Sequence, residues 1–320
     1  MNIFDGHTDI LADVVARRLA GETDAVRQHH LEKLTLGQVT GGNFVLWMDP
    51  KTASMEMLIN AMKHISMEMD EANDFIFQIR NAMDFRQAQT TGKMALVLGM
   101  EGLSAIGDDL TQIDWLYQQG VRCASLTWNE ANTLATGIEG ETSRGLTHVG
   151  KEAVEKMENL GILVDVSHLN ETSFWDVIQL AQEPVMASHS NAWTLCQHPR
   201  NLKDEQIKAI GNSGGLVGVN AWPDFLHEHQ PSVDHYVEQI DYLVSLIGID
   251  GVILGFDFCD FMPTDPDEDP DQKLETESLE NAASAQQVIK RLTKKGYGPQ
   301  DLEKIAWKNM MRVYGRIMKI

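Results

Sequence analysis

The chain has 320 residues, of which 43% are hydrophobic, and a formal net charge of -21. A charge of this sign and size repels nucleic acid, so nucleic-acid-binding proteins are excluded as a class. No apolar run is long enough to span a bilayer, and Asp5 interrupts the first apolar run, so neither a membrane span nor a signal peptide is expected. Three widely spaced cysteines without a CxxC pair predict reduced thiols and a cytoplasmic location.

Apolar, β-rich segments alternate with segments of helical period along the whole chain. Eight strands are predicted, at residues 2–6, 39–47, 94–99, 121–127, 162–167, 184–188, 215–219 and 252–256. Two helices are predicted within Met55–Gln89, and one each at Asp109–Gln119, Thr147–Leu160, Leu169–Ala181, Lys203–Ile210 and Val233–Leu246. Thr147 and Asn170 are the predicted N-terminal caps of their helices, and Gly211 and Gly248 are predicted to follow the ends of theirs. The last segment, Ser278–Ile320, is expected to supply two closing helices.

Eight strands that are each followed by helix predict an α/β fold, a (β/α)₈ TIM barrel. No linker rich in Gly, Ser or Pro divides the chain, so residues 1–320 are expected to form one domain. A doubly wound open sheet is the alternative, but it needs a Gly-rich phosphate turn after the first strand. The sequence Asp5-Gly6-His7-Thr8-Asp9 is not such a turn. The acidic run 265–271, which contains Pro266 and Pro270, is predicted to be a solvated loop. Calcium binding there is disfavoured, because the run lacks the glycine and the terminal glutamate of a calcium loop.

Metal-ligand side chains follow several of the predicted strands. In a TIM barrel the C-terminal ends of all strands meet at one rim. The residues in question are His7, Asp9, Glu101, His168, His189 and Asp257. Each of them alone is more often a structural residue than a ligand. Their coincidence at the same end of different strands predicts a metal centre, and imidazole and carboxylate are ligands that zinc accepts.

Two Zn²⁺ ions would use this set of side chains fully. One ion is assigned His7, Asp9 and Glu101, and the other takes His168, His189 and the same Glu101, because a carboxylate can offer one oxygen to each ion. A hydroxide between the two ions would be the nucleophile, since both charges lower its pKa.

Arg200 is the basic residue of interest. It lies eleven residues after His189, in the loop that follows the sixth predicted strand. A guanidinium at this rim could hold a substrate carboxylate through two parallel hydrogen bonds. An ordinary ion pair with a nearby acid is an equally good interpretation of its position.

With these residues assembled, the chain resembles the membrane dipeptidase (renal dipeptidase) family of binuclear zinc peptidases. The matching stretches span nearly the whole chain in order, and they are residues 5–9, 101–102, 161–168, 187–190, 200–201, 255–258 and 305–314. The resemblance implies the same metal ligands as above. It further implies that Glu101 is the bridging and catalytic carboxylate, that Arg200 binds the substrate carboxylate, and that Asp257 is a catalytic proton shuttle and a partner of the substrate amine.

The chain departs from the family pattern at two places. Trp128 stands where the family has a substrate-binding histidine, and Asn129 beside it is a possible substitute, so both are counted as substrate-binding residues. The family's Asp-Phe-Asp-Gly becomes Asp257-Phe258-Cys259-Asp260. The secretory signal and lipid anchor of the animal proteins are also missing, so a soluble member of bacterial type is expected.

The resemblance implies a zinc-dependent dipeptidase with two Zn²⁺ ions per chain. Its substrates would be short peptides with free amino and carboxyl ends, including L,D-dipeptides. A homodimer is implied as well, to which a Met-rich segment could contribute: Met55, Met57, Met62, Met67 and Met69. The alternatives are an amidohydrolase acting on a lactam or another cyclic amide, and a metal-stabilised binding protein without catalytic activity.

Overall fold

Eight parallel strands of this computed structural model, which describes residues 1–262 and 275–318, form a nearly closed barrel. Their order around the sheet is β1-β2-β4-β5-β6-β7-β8-β9, and the short β3 pairs with β4 outside this path. The strands are β1 (Ile3–Thr8), β2 (Val39–Trp47), β3 (Ile76–Gln78), β4 (Met94–Glu101), β5 (Val121–Ser125), β6 (Leu163–Asp165), β7 (Met186–Ala187), β8 (Leu216–Val219) and β9 (Val252–Leu254).

Helices surround the strands, as expected for parallel strands joined by crossover connections. They are α1 (Ile10–Leu19), α2 (Leu31–Leu36), α3 (Met55–Glu71), α4 (Ala82–Thr91), α5 (Thr111–Gln119), α6 (His148–Leu160), α7 (Glu171–Leu180), α8 (Asp204–Asn212), α9 (Pro223–Leu226), α10 (Val233–Ile247), α11 (Gln286–Lys295), α12 (Pro299–Glu303) and α13 (Asn309–Ile317). Over the described residues no helix has both the length and the apolar character needed to cross a bilayer.

The first and last barrel strands lie side by side. The backbone N–H of Asp257 donates to the carbonyl of His7 at 3.2 Å, and the N–H of Phe256 donates to Oδ1 of Asp5 at 2.9 Å. These bonds replace a regular ladder between β1 and β9. The ends of these two strands, which carry predicted site residues, are therefore held together directly.

Two apolar layers stabilise the barrel. The larger one fills the space between the strands and the surrounding helices. The smaller one lies inside the barrel and contains one inward-facing side chain from most strands: Phe4, Val97, Cys123, Leu163, Met186, Leu216 and Ile253. Met310, Val313 and Tyr314 of α13 join this inner layer, so the last helix covers the end of the barrel where the strands begin.

The predicted TIM barrel is confirmed, and every predicted strand is present with ends that differ by a few residues. His7 lies within β1 and Glu101 is the last residue of β4, whereas both were expected just after their strands. Strand β3 between the two helices of Met55–Gln89 was not predicted. Gly211 lies inside α8 and does not terminate it. The acidic run 265–271 falls outside the described residues.

Candidate active site

The predicted site residues meet at the C-terminal rim of the barrel. His7 and Asp9 come from the end of β1, and Glu101 ends β4. His168 follows β6 and His189 follows β7, in the sequence order expected for a parallel barrel. All five side chains are buried, with at most 7% of their surface exposed. Burial of so many polar groups in one place requires strong partners.

Glu101 is the centre of this cluster. Its Oε1 lies 3.4 Å from Nε2 of His7, 2.9 Å from Nε2 of His168 and 3.4 Å from Nε2 of His189. On the first side, Nε2 of His7 lies 3.7 Å from Oδ2 of Asp9. The carboxylate therefore stands between the pair His7–Asp9 and the pair His168–His189, which is the position a bridging ligand occupies.

The donor set fits metal ions. Within the described residues, the ligand atoms of His7, Asp9 and Glu101 lie within 4.8 Å of one another, and so do those of Glu101, His168 and His189. Nε2 of His7 and Oδ1 of Asp9 are buried and make no hydrogen bond to any residue that the structure describes. A buried polar atom without a partner is costly, and coordination to a metal would satisfy both atoms.

Burial also shifts the pKa values of the carboxyl groups at this rim. It raises the pKa of Glu101 above its ordinary value, and the nearby charge of Asp9 adds to the effect. Burial raises the pKa of Asp257 to about 7, although His7 opposes the shift. Several carboxylates packed without a matching cation repel one another, and positive metal ions would relieve that repulsion.

The three histidines divide into two kinds. Burial by itself would lower the pKa of His7, but the facing carboxylates of Glu101 and Asp9 raise it to about 10. Burial lowers the pKa of His168 and of His189, and the charge of Arg200 lowers both further. His168 and His189 are therefore neutral imidazoles at neutral pH, the form that binds metals.

Two site residues have a left-handed backbone, which is unusual for residues other than glycine. The φ angle is +70° at His168 and +58° at Asp257. Such conformations cost about 1 kcal/mol or more and persist where the surrounding structure enforces them. Here they turn the imidazole and the carboxylate from the ends of β6 and β9 into the cluster.

One carboxylate oxygen of Asp257 is hydrogen-bonded to a neighbouring side chain, and the other faces the cluster. The amide of Asn220 donates to its Oδ2 at 2.9 Å, while Oδ1 lies 3.9 Å from Nε2 of His7. Cys259 belongs to the same corner, because its sulfur lies within 4.8 Å of carboxylate oxygens of Asp9 and Asp257. Neither Asn220 nor the proximity of Cys259 was predicted.

Arg200 reaches the cluster from the loop after β7 and is 5% exposed. Its Nη2 lies 3.1 Å from Nε2 of His168 and 3.4 Å from the carbonyl of His189. Burial lowers the pKa of its guanidinium, although Asp257 and Glu101 oppose the shift. Among the described residues no carboxylate forms a salt bridge with it, so an ordinary loop ion pair, the alternative interpretation of its sequence position, is not what holds Arg200.

Trp128 and Asn129 lie next to His168. The Trp128 ring lies 6.1 Å from the His168 ring and packs edge-on against Trp47 at 5.4 Å, measured between centroids. Oδ1 of Asn129 lies 2.7 Å from Nδ1 of His168. The Asn129 side chain therefore orients a metal-ligand candidate, a contact that its sequence position did not indicate.

Sequence reasoning also missed a layer of polar groups beneath the cluster. Asp165 of β6 and Ser188 at the end of β7 are 4% and 1% exposed. The Ser188 hydroxyl donates a hydrogen bond to the Asp165 carboxylate, and its Oγ also contacts the rings of His7 and His189. The available signal was a carboxylate inside the apolar stretch 162–166, since a buried strand seldom carries an unpaired charge.

A nearly closed parallel barrel with a buried cluster of imidazoles and carboxylates at its C-terminal rim defines a metal-dependent hydrolase. Comparison with known proteins gives the family. The family model described as membrane dipeptidase (peptidase family M19) matches residues 1–320. The chain therefore belongs to the membrane dipeptidase family, and it is a metallo-dipeptidase, a hydrolase of peptide bonds.

Individual relatives agree with this assignment. An uncharacterized protein in the pqqA 5′ region of Klebsiella pneumoniae is 35% identical over 244 residues, which cover 73% of this chain and 86% of that protein. The solved structure of dipeptidase AC, a metallopeptidase of family M19, is 25% identical and superposes with a TM-score of 0.86 over 99% of both chains. A metallopeptidase from Rhodobacter sphaeroides, solved with a phosphinate mimic of the dipeptide L-Ala-D-Ala, shares the fold with a TM-score of 0.86 at 23% identity over 99% of both chains.

Proposed function

We propose that this protein hydrolyses dipeptides with free amino and carboxyl ends, using two Zn²⁺ ions. The observation that carries the proposal is the position of Glu101, one oxygen of which lies within 3.4 Å of three imidazole nitrogens. His7, Asp9 and Glu101 would hold one ion, and Glu101, His168 and His189 the other. When bound, the two ions would supply Lewis-acid activation of the scissile carbonyl and of the attacking water.

Arg200 selects the carboxyl end of the substrate in this proposal. Its guanidinium is buried beside His168 and His189, next to the cluster. Its guanidinium has no carboxylate partner in the described part of the chain, and a buried guanidinium of this kind favours an anionic ligand. A peptide carboxylate can accept two parallel hydrogen bonds from it. A site that holds the terminal carboxylate so close to the reacting centre leaves room for one residue between them, which favours dipeptides over longer peptides.

Asp257 moves the proton. Asn220 holds its Oδ2 and leaves Oδ1 facing the cluster. A general base must lie within reach of the proton that it accepts, and Asp257 is a buried carboxyl group whose pKa burial raises to about 7 in the absence of metal ions. In the proposed reaction Oδ1 accepts a proton from the attacking water and passes it to the leaving amine, and it also contacts the substrate amino group.

Trp128 and Trp47 form an aromatic wall at one side of the site. An indole can donate a single hydrogen bond, whereas the histidine of the family pattern can also accept one. We infer that Trp128 bounds the substrate pocket by contact and that Asn129 acts through His168. Because the Rhodobacter sphaeroides relative was solved with an L-Ala-D-Ala mimic, L,D-dipeptides with small side chains belong to the proposed substrate range.

The proposed enzyme is a cytoplasmic homodimer. Cys123, Cys196 and Cys259 are free, which suits a reducing compartment. On α3, Met57 and Met67 are 47% and 42% exposed, while Met62 is buried. Exposed apolar side chains on one helix support the predicted contribution of this segment to a dimer. Light scattering coupled to size-exclusion chromatography tests the oligomeric state.

Hydrolysis of a panel of L,L- and L,D-dipeptides tests the proposed activity. The chelator-treated protein should be inactive and regain activity with added Zn²⁺, and dipeptides with an amidated carboxyl end should be poor substrates. Mn²⁺ and Co²⁺ serve as controls for the identity of the metal. Cleavage of a cyclic amide without cleavage of any dipeptide would overturn the proposal in favour of a lactam-type amidohydrolase.

A further inference from the structure

A single hydroxyl group connects two of the histidines on the side of each ring that faces away from Glu101. Oγ of Ser188 lies 3.2 Å from Nδ1 of His7 and 2.7 Å from Nδ1 of His189. The same Oγ donates to Oδ2 of Asp165. All four residues are at most 4% exposed, so water does not compete for these contacts.

The number of protons fixes the direction of each hydrogen bond. A serine hydroxyl has one hydrogen, and Ser188 gives it to Asp165. Both Nδ1 atoms must then be donors, because Oγ has only electron pairs left to offer them. A neutral imidazole that carries its hydrogen on Nδ1 presents a bare electron pair on Nε2. For His7 and His189, Nε2 is the atom that faces Glu101.

We propose that Ser188, anchored by Asp165, is a positioning residue that keeps a hydrogen on Nδ1 of His7 and of His189 and thereby makes Nε2 the nitrogen that each ring directs toward a metal ion. One hydroxyl group thereby orients one histidine ligand of each proposed ion. The group formed by His7, Asp165 and His189, whose ligand atoms lie within 4.8 Å of one another, is then a hydrogen-bonded support and not a third metal site.

His168 follows the same rule with a different partner. Its Nδ1 lies 2.7 Å from Oδ1 of Asn129, an oxygen that can only accept. Nε2 of His168 is therefore bare as well, and it lies 2.8 Å from Nε2 of His189. Two bare nitrogens this close need a positive group beside them. Nη2 of Arg200, 3.1 Å from Nε2 of His168, is one such group, and a metal ion would be another.

Close packing of the neighbouring backbone fixes the position of Ser188. Its carbonyl oxygen occupies the space where side chains at Gly218 and Gly255 would begin, so any larger residue at either position would displace it. Asp165 is also fixed, because its Oδ1 accepts the backbone N–H groups of Ser167 at 2.9 Å and Ser188 at 3.1 Å.

This geometry makes Asp165→Asn a sharp test. The two backbone N–H groups must keep the amide oxygen of the new side chain, so its NH₂ group faces Ser188 and donates to Oγ. The serine hydrogen then turns to Oγ of Ser167, 3.4 Å away, or to an imidazole Nδ1. In either case Oγ, with two electron pairs, cannot accept from the new NH₂ group and from both Nδ1–H groups, which opposes the arrangement that metal binding needs. Ser188→Ala instead removes the acceptor for both Nδ1–H groups without adding volume.

Zn²⁺ affinity, measured by competition with a chromophoric chelator, gives the readout. Each variant should weaken Zn²⁺ binding by about 10- to 100-fold, the usual effect of removing a partner of a ligating histidine. The double variant should be no weaker than the stronger single one, because both act through one hydroxyl. Ser190→Ala is the matched control. Within residues 1–262 and 275–318, Oγ of this buried serine has a single hydrogen-bond contact, with Oγ of Ser167 at 3.5 Å, so the variant should stay within about twofold of wild type.

Histidine ring ¹⁵N spectra of the zinc-loaded protein supply a second readout, with hydrogen-bonded Nδ1–H signals expected for His7 and His189 and altered in both variants. Affinities equal to that of Ser190→Ala, or additive losses in the double variant, would overturn the proposal. If Asp165→Asn fails to fold by circular dichroism, Ser188→Ala still decides. The inference rests on the proposed metal site alone, so a protein that binds Zn²⁺ as described but cleaves no dipeptide refutes the proposed substrate and leaves the role of Ser188 standing.

Discussion

The two ends of the barrel are formed by the same strands but differ in polarity and in what they contribute to the protein. At the end where the strands begin, Phe4, Leu163 and Met310 pack in an apolar layer, and Tyr314 donates to Oδ1 of Asn43 at 2.5 Å. The Asn43 amide in turn donates to the carbonyl of Gly6 at 2.8 Å. At the other end, buried carboxylates and imidazoles lie together with unpartnered atoms and left-handed backbone. The first end contributes stability, and the second gives up stability for the ability to bind and react.

The largest expected effect comes from Glu101→Gln at the reactive end. Loss of the shared carboxylate should reduce kcat/KM by about 10³-fold or more, since an amide cannot bridge two cations equally well. The free energy of unfolding of the chelator-treated variant should equal or exceed that of wild type, because burial disfavours the Glu101 charge. Dipeptide assays and urea unfolding of the same preparation measure both. Strong destabilisation of the metal-free variant would mean that Glu101 has a structural role.

The apolar end should show the reverse pattern. Met310 is fully buried in the inner layer, so Met310→Ala should lower the free energy of unfolding by about 2–5 kcal/mol. Its kcat/KM should change by no more than about twofold at a temperature where the variant is folded. Met83→Ala makes the same substitution at a methionine that is 66% exposed, and should leave both quantities unchanged. A large loss of activity in folded Met310→Ala would show that the two ends are coupled.

Arg200→Lys separates substrate binding from the metal centre. Lysine keeps the positive charge but loses the two-pronged contact, so KM for dipeptides should rise by about 10- to 100-fold, the value of a charged hydrogen bond, with a smaller change in kcat. Dipeptide amides, which lack the carboxylate, serve as the control and should be cleaved equally slowly by both proteins. An equal loss for the two substrates would place Arg200 at another part of the site.

The smallest effect concerns pH and the chelator-treated protein. The pKa of His7 is raised to about 10 from 6.5, so its contribution to stability is complete below pH 6.5 and is lost as the pH rises toward 10. Urea unfolding should therefore give a lower free energy at pH 9 than at pH 7, by on the order of 1 kcal/mol per pH unit at most. Added Zn²⁺ should reduce this dependence, because a metal replaces the proton on Nε2. A stability that rises over this range would contradict the prediction.

Much of the barrel could be predicted, because its strands and helix caps depend on short-range patterns in the sequence. The eight apolar strands and the caps Thr147 and Asn170 are short-range features, and both caps accept the expected backbone N–H. The ligand candidates followed from one rule, namely that all parallel strands end at one rim. Strand β3 was not predicted, because a strand of three residues is too short to show a periodic pattern. Gly211 was wrongly predicted to end its helix, because glycine also occurs inside helices that pack closely against a neighbour, here Ile247.

By itself, the sequence determined the barrel, the family and the residues at its rim, because side-chain chemistry and strand ends are encoded position by position. Only the tertiary structure decided which groups act on one another. It brought Ser188 and Asp165 beneath His7, turned Asn129 toward His168, and left Arg200 without a carboxylate partner among the described residues. These relations join residues far apart in the chain, and hydrogen-bond direction depends on distances of a few tenths of an ångström that no local pattern records.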